Sequence, residues 1–272
     1  MKIWWQDILP DAANSLVGGG DVARQRQGEE RILGSLRQVA RPDTSIEFHH
    51  PKYSSYIVQA SYLEMLNNVW LVDGIIEAEK QGYDAAIIGC GNDPGLQQAR
   101  QAVDIPVVGP TEAAMLLACT MGFKFGVITV MDEFVALTER NIRNYGLEWR
   151  ATSPVRVYQL GDNPFQALSE MIFTPEVINP QFDELCRAAI ADGAEVIIPA
   201  CAALSPATSL LGYREVPGAG VPVLDVTLAA VKMAETLVDL KRGVGLGKSQ
   251  KSIYKTVPAK VRDRMRALTK VA

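Results

Sequence analysis

Short apolar runs rich in β-branched residues alternate along this chain with longer stretches whose apolar positions recur at helical spacing. That alternation predicts an α/β protein with parallel strands. Strands are expected at Lys2–Trp5, Ser45–His49, Asp84–Gly89, Ile105–Val108, Phe125–Val130, Pro154–Tyr158, Glu195–Pro199 and Val221–Leu224. Helices are expected at Val22–Ala40, Val58–Gln81, Pro94–Ala102, Thr111–Met121, Glu133–Tyr145, Pro206–Leu211 and Val226–Lys241. Gly161–Pro180 carries Pro164, Pro175 and Pro180 and reads as broken helix and loop, because proline disrupts a helix interior. Helical spacing returns over Phe182–Ala191.

The pattern repeats within the chain. Asp84-Ala-Ala-Ile-Ile-Gly-Cys90 resembles Ala194-Glu-Val-Ile-Ile-Pro-Ala-Cys201, and Ile105-Pro-Val-Val108 resembles Val221-Pro-Val-Leu224. Each second block is followed by a threonine and an Ala-Ala pair, Thr111 with Ala113-Ala114 and Thr227 with Ala229-Ala230. The cysteines lie 111 positions apart (201 − 90) and the threonines 116 apart (227 − 111). Matched blocks at nearly one offset predict two similar lobes, each a small parallel sheet flanked by helices. The first comprises residues 1–117 with 228–272, the second residues 118–227. Ligands of such sheets bind outside the carboxyl ends of the strands, so the active site is expected in the cleft between the lobes.

Cys90 and Cys201 each follow an apolar strand and precede a helix start. Asp93-Pro94 and Ser205-Pro206 read as N-cap and first helical residue. Each thiol is thereby expected beside a helix N-terminus, where free N–H groups favour a thiolate. Two thiols on either side of a carbon acid can take a proton from one face and deliver one to the other. A thiol with a reference pKa of roughly 8.5 reaches both forms near neutrality with modest tuning. Cys119 and Cys186 fall within helical patterns and read as core residues.

Composition narrows the classes. Of 272 residues, 48% are hydrophobic and 21% charged, as in an ordinary globular protein large enough for one domain or two lobes. A net charge of −4 argues against a broad nucleic-acid-binding face. No apolar run approaches the roughly 18 residues of a membrane helix. The N-terminus does not read as a signal peptide, so a cytoplasmic protein with reduced thiols is expected. The cysteines form no CxxC or Cys/His cluster, and His49 and His50 would point to opposite faces of a strand. No metal and no cofactor are therefore expected. The partners expected are a small-molecule substrate and further copies of the chain, without nucleic acid or membrane.

The run Gly89-Cys-Gly-Asn-Asp-Pro-Gly-Leu96, followed by Ile105-Pro-Val-Val-Gly109 and Glu112-Ala-Ala114, resembles the hydantoin racemase signature within the aspartate/glutamate racemase superfamily. The resemblance covers most of the chain and is densest over Asp84–Ala114. It implies two α/β lobes and a racemase that needs neither metal nor PLP, with Cys90 and Cys201 as the catalytic pair. Retention of both cysteines argues against an arylmalonate-type decarboxylase, which keeps only the second. Three segments depart from the pattern: Gly91-Asn92 stands where an aromatic residue usually follows the first cysteine, His49–Tyr56 replaces a G-P-x-S-I-E segment, and Pro199-Ala-Cys-Ala-Ala-Leu204 surrounds the second cysteine. These bear on the substrate, which is left open among a hydantoin, an amino acid and a related carboxylate.

Gly91, Asn92, Thr129, Ala202, Ala203 and His49 are expected to bind substrate, with Lys52 near the mouth of the site. Thr129 can equally be a strand-end hydroxyl bonding locally, and Asp93 reads as a helix cap rather than a base. Gly243-Val-Gly-Leu-Gly-Lys-Ser249 resembles a phosphate loop, but Arg242 occupies its first glycine position and it follows a helix. The basic tail from Lys241 to Lys270 reads as a helix across the first lobe or an oligomer contact. Two other functions fit the same features: an isomerase or lyase using one cysteine covalently, and a two-lobed binding protein without catalysis.

Overall fold

The structure, a computed structural model, describes residues 1–11, 21–55 and 60–269. Strands run β1 (Lys2–Asp7), β2 (Ser45–His49), β3 (Ala85–Gly89), β4 (Val107–Val108), β5 (Phe125–Val130), β6 (Arg156–Tyr158), β7 (Val196–Pro199), β8 (Glu215–Val216) and β9 (Val221–Pro222). Helices run α1 (Val22–Arg37), α2 (Ser61–Lys80), α3 (Leu96–Ala102), α4 (Pro110–Met121), α5 (Glu133–Asn144), α6 (Pro164–Phe173), α7 (Gln181–Ala191), α8 (Leu204–Leu211), α9 (Val226–Val244) and α10 (Ala259–Leu268). The start expected for the second helix, Val58, lies outside the described residues. The chain divides into two compact units, one of Met1–Gln27, Ala40–Gly109 and Val231–Ala272, the other of Gly28–Val39 and Pro110–Ala230.

The first unit is built on a parallel sheet of order β2-β1-β3-β4. β3 (Ala-Ala-Ile-Ile-Gly) is buried throughout, as a strand covered on both faces must be. Ile3 and Trp5 on β1, Ile87 and Ile88 on β3 and Leu71 and Ile75 on α2 are core residues of this unit. One polar side chain sits inside it. Gln6 is fully buried, accepts from Trp4 Nε1 at 2.8 Å and donates to the Asp7 carbonyl at 3.0 Å. Gly74 of α2 lies directly over it: a Cβ there would come within 2.0 Å of Gln6 Oε1. Glycine thus sets how closely α2 approaches the sheet.

The second unit repeats the plan with order β6-β5-β7, all parallel, and Val223 bridges in parallel to Ile197 beyond β7. Gly126 of β5 meets α7: a Cβ there would stand 2.9 Å from Ala189 Cβ. Gly161–Pro180 is broken helix and loop, as its prolines predict: α6 starts with Pro164 in its first turn, where no N–H is needed, Asn163 Oδ1 caps Gln166 N–H at 3.2 Å, and a separate 3-10 turn follows over Pro175–Ile178. One departure from expectation occurs here. Val221-Pro222 pairs antiparallel with Glu215-Val216, a hairpin too short to show a periodic signal, and only Val223 joins the main sheet.

The tail is tied to the first unit by charge. Arg266, 8% exposed, donates from Nε to Asp73 at 2.6 Å and from Nη2 to Glu77 at 2.8 Å, both on α2. Arg262 donates to the Ala102 carbonyl at 2.6 Å and to Glu79 at 3.2 Å. Val261, Met265 and Leu268 on the same helix are exposed, so α10 turns Arg262 and Arg266 inward and its apolar stripe outward, with Arg264 also exposed. Lys248, in the segment resembling a phosphate loop, donates to the Arg100 carbonyl and to Thr256 Oγ1, and its ammonium serves to anchor the tail.

Two substitutions test these contacts. Gly74→Ala should lower stability by about 1–3 kcal/mol through overpacking, outweighing a helix-propensity gain of no more than about 1 kcal/mol; a urea midpoint at or above wild type would show that α2 can shift. Arg266→Ala should cost about 2 kcal/mol, the lower side for a buried ion pair because Glu77 keeps 38% of its side chain exposed. Amide exchange should quicken selectively in α10, and unchanged protection there would mean that apolar contacts hold the tail.

Candidate active site

The two cysteines occupy equivalent places in the two sheets. In the first unit Ile3 pairs with Ala85, and Cys90 follows five residues after Ala85. In the second Phe125 pairs with Val196, and Cys201 follows five residues after Val196. The next strand also matches: Ala86 pairs with Val107, as Ile197 does with Val223. The 111- and 116-residue offsets of the sequence are therefore the register of two parallel ladders.

Cys90, 7% exposed, ends β3 in a tight turn in which its carbonyl accepts Asp93 N–H at 3.1 Å. Gly89 beneath it has no room for a side chain: a Cβ would lie 2.9 Å from the Gln6 carbonyl oxygen and 3.0 Å from Asp7 Cα. Gly91 is buried and Asn92 half-buried in the same turn. The expected capping does not occur. Asp93 has φ +48°, and α3 starts at Leu96 behind Gly95, which takes the left-handed conformation. The Asp93 side chain is turned toward Gly109, where a Cβ would be 2.6 Å from its Cγ. A cavity of about 10 Å³ lined by Ile8, Glu64, Asn67, Asn68, Leu71 and Pro94 reaches this turn, with room for one water and not for a substrate.

Cys201 lies closer to its helix. α8 begins at Leu204, with Ala203 at the cap position, two residues ahead of the first helical residue expected. Ala203 N–H points to Cys201 Sγ at 3.4 Å, and the Cys201 carbonyl accepts Ser205 N–H at 2.9 Å. Ser205 does not cap α8, because its Oγ accepts Val226 N–H at 2.8 Å. Burial pushes the Cys201 thiol above the ordinary thiol range, and the Leu204 and Ala203 N–H groups pull against it. Ala202 and Ala203 are partly exposed beside the thiol. Thr129, 1% exposed at the end of β5, makes no local bond: its Oγ1 has no hydrogen-bond partner among the described residues.

His49 belongs to another cluster. Its ring stacks on Trp4 at 3.2 Å between centroids, and its Nε2 is 3.1 Å from Tyr83 Oη, which donates to Glu47. Burial lowers its pKa. Lys52 is exposed, with Nζ 5.5 Å from the Tyr53 ring. One position went unnoticed in the sequence. Asp7 pairs with Gly89 at the end of β1, the place that Thr129 holds on β5, and its Oδ1 accepts Leu9 N–H at 2.9 Å. Extending the repeat to the first strand of each sheet would have revealed it. Among the described residues no group of three or more His, Cys, Asp or Glu is placed to hold a metal ion, and no helix is long and apolar enough to cross a membrane.

Residues 29–234 match the Asp/Glu/Hydantoin racemase family. The chain is 34% identical over 213 residues to a hydantoin racemase of Pseudomonas sp. (strain NS671), covering 77% of this chain and 80% of the relative. It is 33% identical over 224 residues to a hydantoin racemase of Rhizobium meliloti, covering 82% and 87%. Its fold matches that of allantoin racemase from Pseudomonas fluorescens with a TM-score of 0.73 at 27% identity, over 94% of this chain and 97% of that one. The two repeated sheets, with a cysteine at the same strand end of each, are thus those of a racemase, and the chain belongs to the Asp/Glu/hydantoin racemase family.

Proposed function

We propose that this racemase inverts a small carbon acid by proton transfer between Cys90 and Cys201, and that its substrate is a chiral 5-substituted hydantoin. The observation that carries the reading is the equivalent placement of the two thiols at the ends of β3 and β7 in ladders of the same register. The substrate class is supported by the hydantoin racemases among its relatives and by the allantoin racemase fold, since allantoin is itself a substituted hydantoin.

In this reading one cysteine, as thiolate, removes the proton from the ring carbon between the amide nitrogen and the carbonyl. Negative charge moves onto the carbonyl oxygen as an enolate. The other cysteine, as thiol, delivers a proton to the opposite face. The enzyme then holds the thiolate on the second cysteine and resets by exchange with solvent, so atoms and charge balance without metal or PLP. The Thr129 hydroxyl, which has no hydrogen-bond partner among the described residues, is suited to the enolate oxygen or a ring carbonyl. Asp7 is suited to a ring N–H.

Deuterium exchange tests the pair. Serine matches the shape of cysteine but is far too weak an acid to supply the base. Cys90→Ser and Cys201→Ser should each lose racemisation of a chiral hydantoin by about 10²–10⁴-fold, followed by circular dichroism. Each should still exchange the stereocentre hydrogen of one enantiomer in D2O, and the two variants should exchange opposite enantiomers. If both exchange the same one, the assignment of one cysteine to each face fails, and if only one variant exchanges, a single cysteine does the chemistry.

The pH profile tests Cys201 separately. The productive enzyme carries one thiolate and one thiol, so kcat/KM rises as the first thiol ionises and falls as the second does. Because burial raises the Cys201 thiol, the alkaline limb should lie above the ordinary value of roughly 8.5. It should vanish from the exchange that Cys201→Ser retains. A limb well below that value, or one persisting in the variant, would exclude Cys201 as the acid being lost.

A further inference from the structure

The first turn of α8, which presents N–H groups to Cys201, is held from behind by a buried polar network that the chemistry above does not use. Ser205 is fully buried, and its Oγ accepts Val226 N–H, at the start of α9, at 2.8 Å. One turn along α8, Ser209 donates from Oγ to Asp225, and Arg214 Nη1 donates to the same Oγ at 3.1 Å. Asp225, 3% exposed, caps α9: its Oδ1 accepts both Thr227 N–H and Thr227 Oγ1 at 2.7 Å. Two serines four residues apart on one face of α8 are therefore bonded to the first turn of α9. Ser205 is bonded on its other side too, its N–H donating to the Cys201 carbonyl at 2.9 Å.

A core of this kind could have been apolar. Buried polar groups are costly unless every partner is supplied, and a network so supplied fixes one geometry where apolar contacts would allow sliding. α8 is only eight residues long and has no side-chain cap. Its own hydrogen bonds do little to fix where its first turn stands. The bonds from Ser205 and Ser209 do, and that turn carries the two N–H groups that oppose the effect of burial on Cys201. Among the described residues no charged side chain shifts the thiol in their place.

We propose that Ser205 and Asp225 are positioning residues for Cys201: acting through α8 and α9, they hold the Ala203 and Leu204 N–H groups at the thiol and so set how readily it ionises. The proposal rests on the reading of Cys201 as an acid/base residue only for its catalytic meaning, so its test is read on the thiol itself.

The test is the pH dependence of iodoacetamide alkylation at Cys201, resolved by peptide mass mapping, in the wild-type chain and in Ser205→Ala, Ser209→Ala and Asp225→Asn. Cys119, partly exposed on α4, is the reference within each sample. The midpoint for Cys201 should rise by about half a pH unit or more, equivalent to about a threefold loss of thiolate at a fixed lower pH. The Cys119 profile should stay put. A merely structural network would lower the melting temperature and leave the Cys201 midpoint where it was. That result in the variants that fold, or a joint shift of both cysteines, overturns the proposal. If Ser205→Ala fails to fold, Ser209→Ala and Asp225→Asn decide. A raised midpoint with unimpaired racemisation would uphold the positioning and remove Cys201 from the proton transfer, so the two failures are distinct.

Discussion

The parallel ladders β1·β3 and β5·β7 are the constraint from which the rest of this molecule follows. A one-residue slip of a parallel pair turns every side chain to the other face and a two-residue slip misplaces them along the strand, and β3 and β5, buried on both faces, have close fits that either slip would break. The register is therefore rigidly chosen. Once Ile3 pairs with Ala85 and Phe125 with Val196, the ends of four strands are set, and with them Cys90 and Asp7 in one unit and Cys201 and Thr129 in the other. Gly89 shows how tight the choice is, since a single methyl there would strike the neighbouring strand's backbone.

Upon equivalent sheets the chain builds unlike turns. After Cys90 the left-handed residues Asp93 and Gly95 delay the helix until Leu96. After Cys201 two alanines lead straight into a helix at Leu204. The same cap-and-proline pattern stands near both sites, and neither Asp93 nor Ser205 caps the helix that follows. Tertiary partners took their side chains first: Gly109 leaves space that the Asp93 carboxyl fills, and the start of α9 presents Val226 N–H to Ser205. Helix N-termini are cheap to move by a residue or two, whereas an unsatisfied buried N–H is not.

What could be read in the sequence follows the same division. The central strands β3, β5 and β7 show as apolar runs because they are buried along their whole length, and the repetition of β3 in β7 marks Cys90 and Cys201 as equivalent positions in the sequence itself. The β8–β9 hairpin did not show, because two residues per strand carry no period. The polarity of α10 did not show either. Arg262 and Arg266 look like a solvated basic face until Asp73, Glu77 and Glu79 are seen opposite them. His49 looked available at a strand end, and only the folded chain reveals Trp4 and Tyr83 on its ring. Pairwise choices among distant side chains leave no trace in local spacing.

The divergence of the two turns bears on the chemistry more than their likeness does. Under the proposed mechanism, proton transfer between two thiols fails if both are ionised or both protonated, so a productive pair must be held unequal at any moment. Identical surroundings would leave that inequality to the repulsion between the thiolates. Here Cys201 has burial pushing its thiol up and helix N–H groups pulling it down, while Cys90 sits in a glycine turn that places α3 two residues farther along the chain than expected. A duplicated sheet sets each sulfur at the same strand end of its own unit; the unduplicated turns give the two thiols different surroundings.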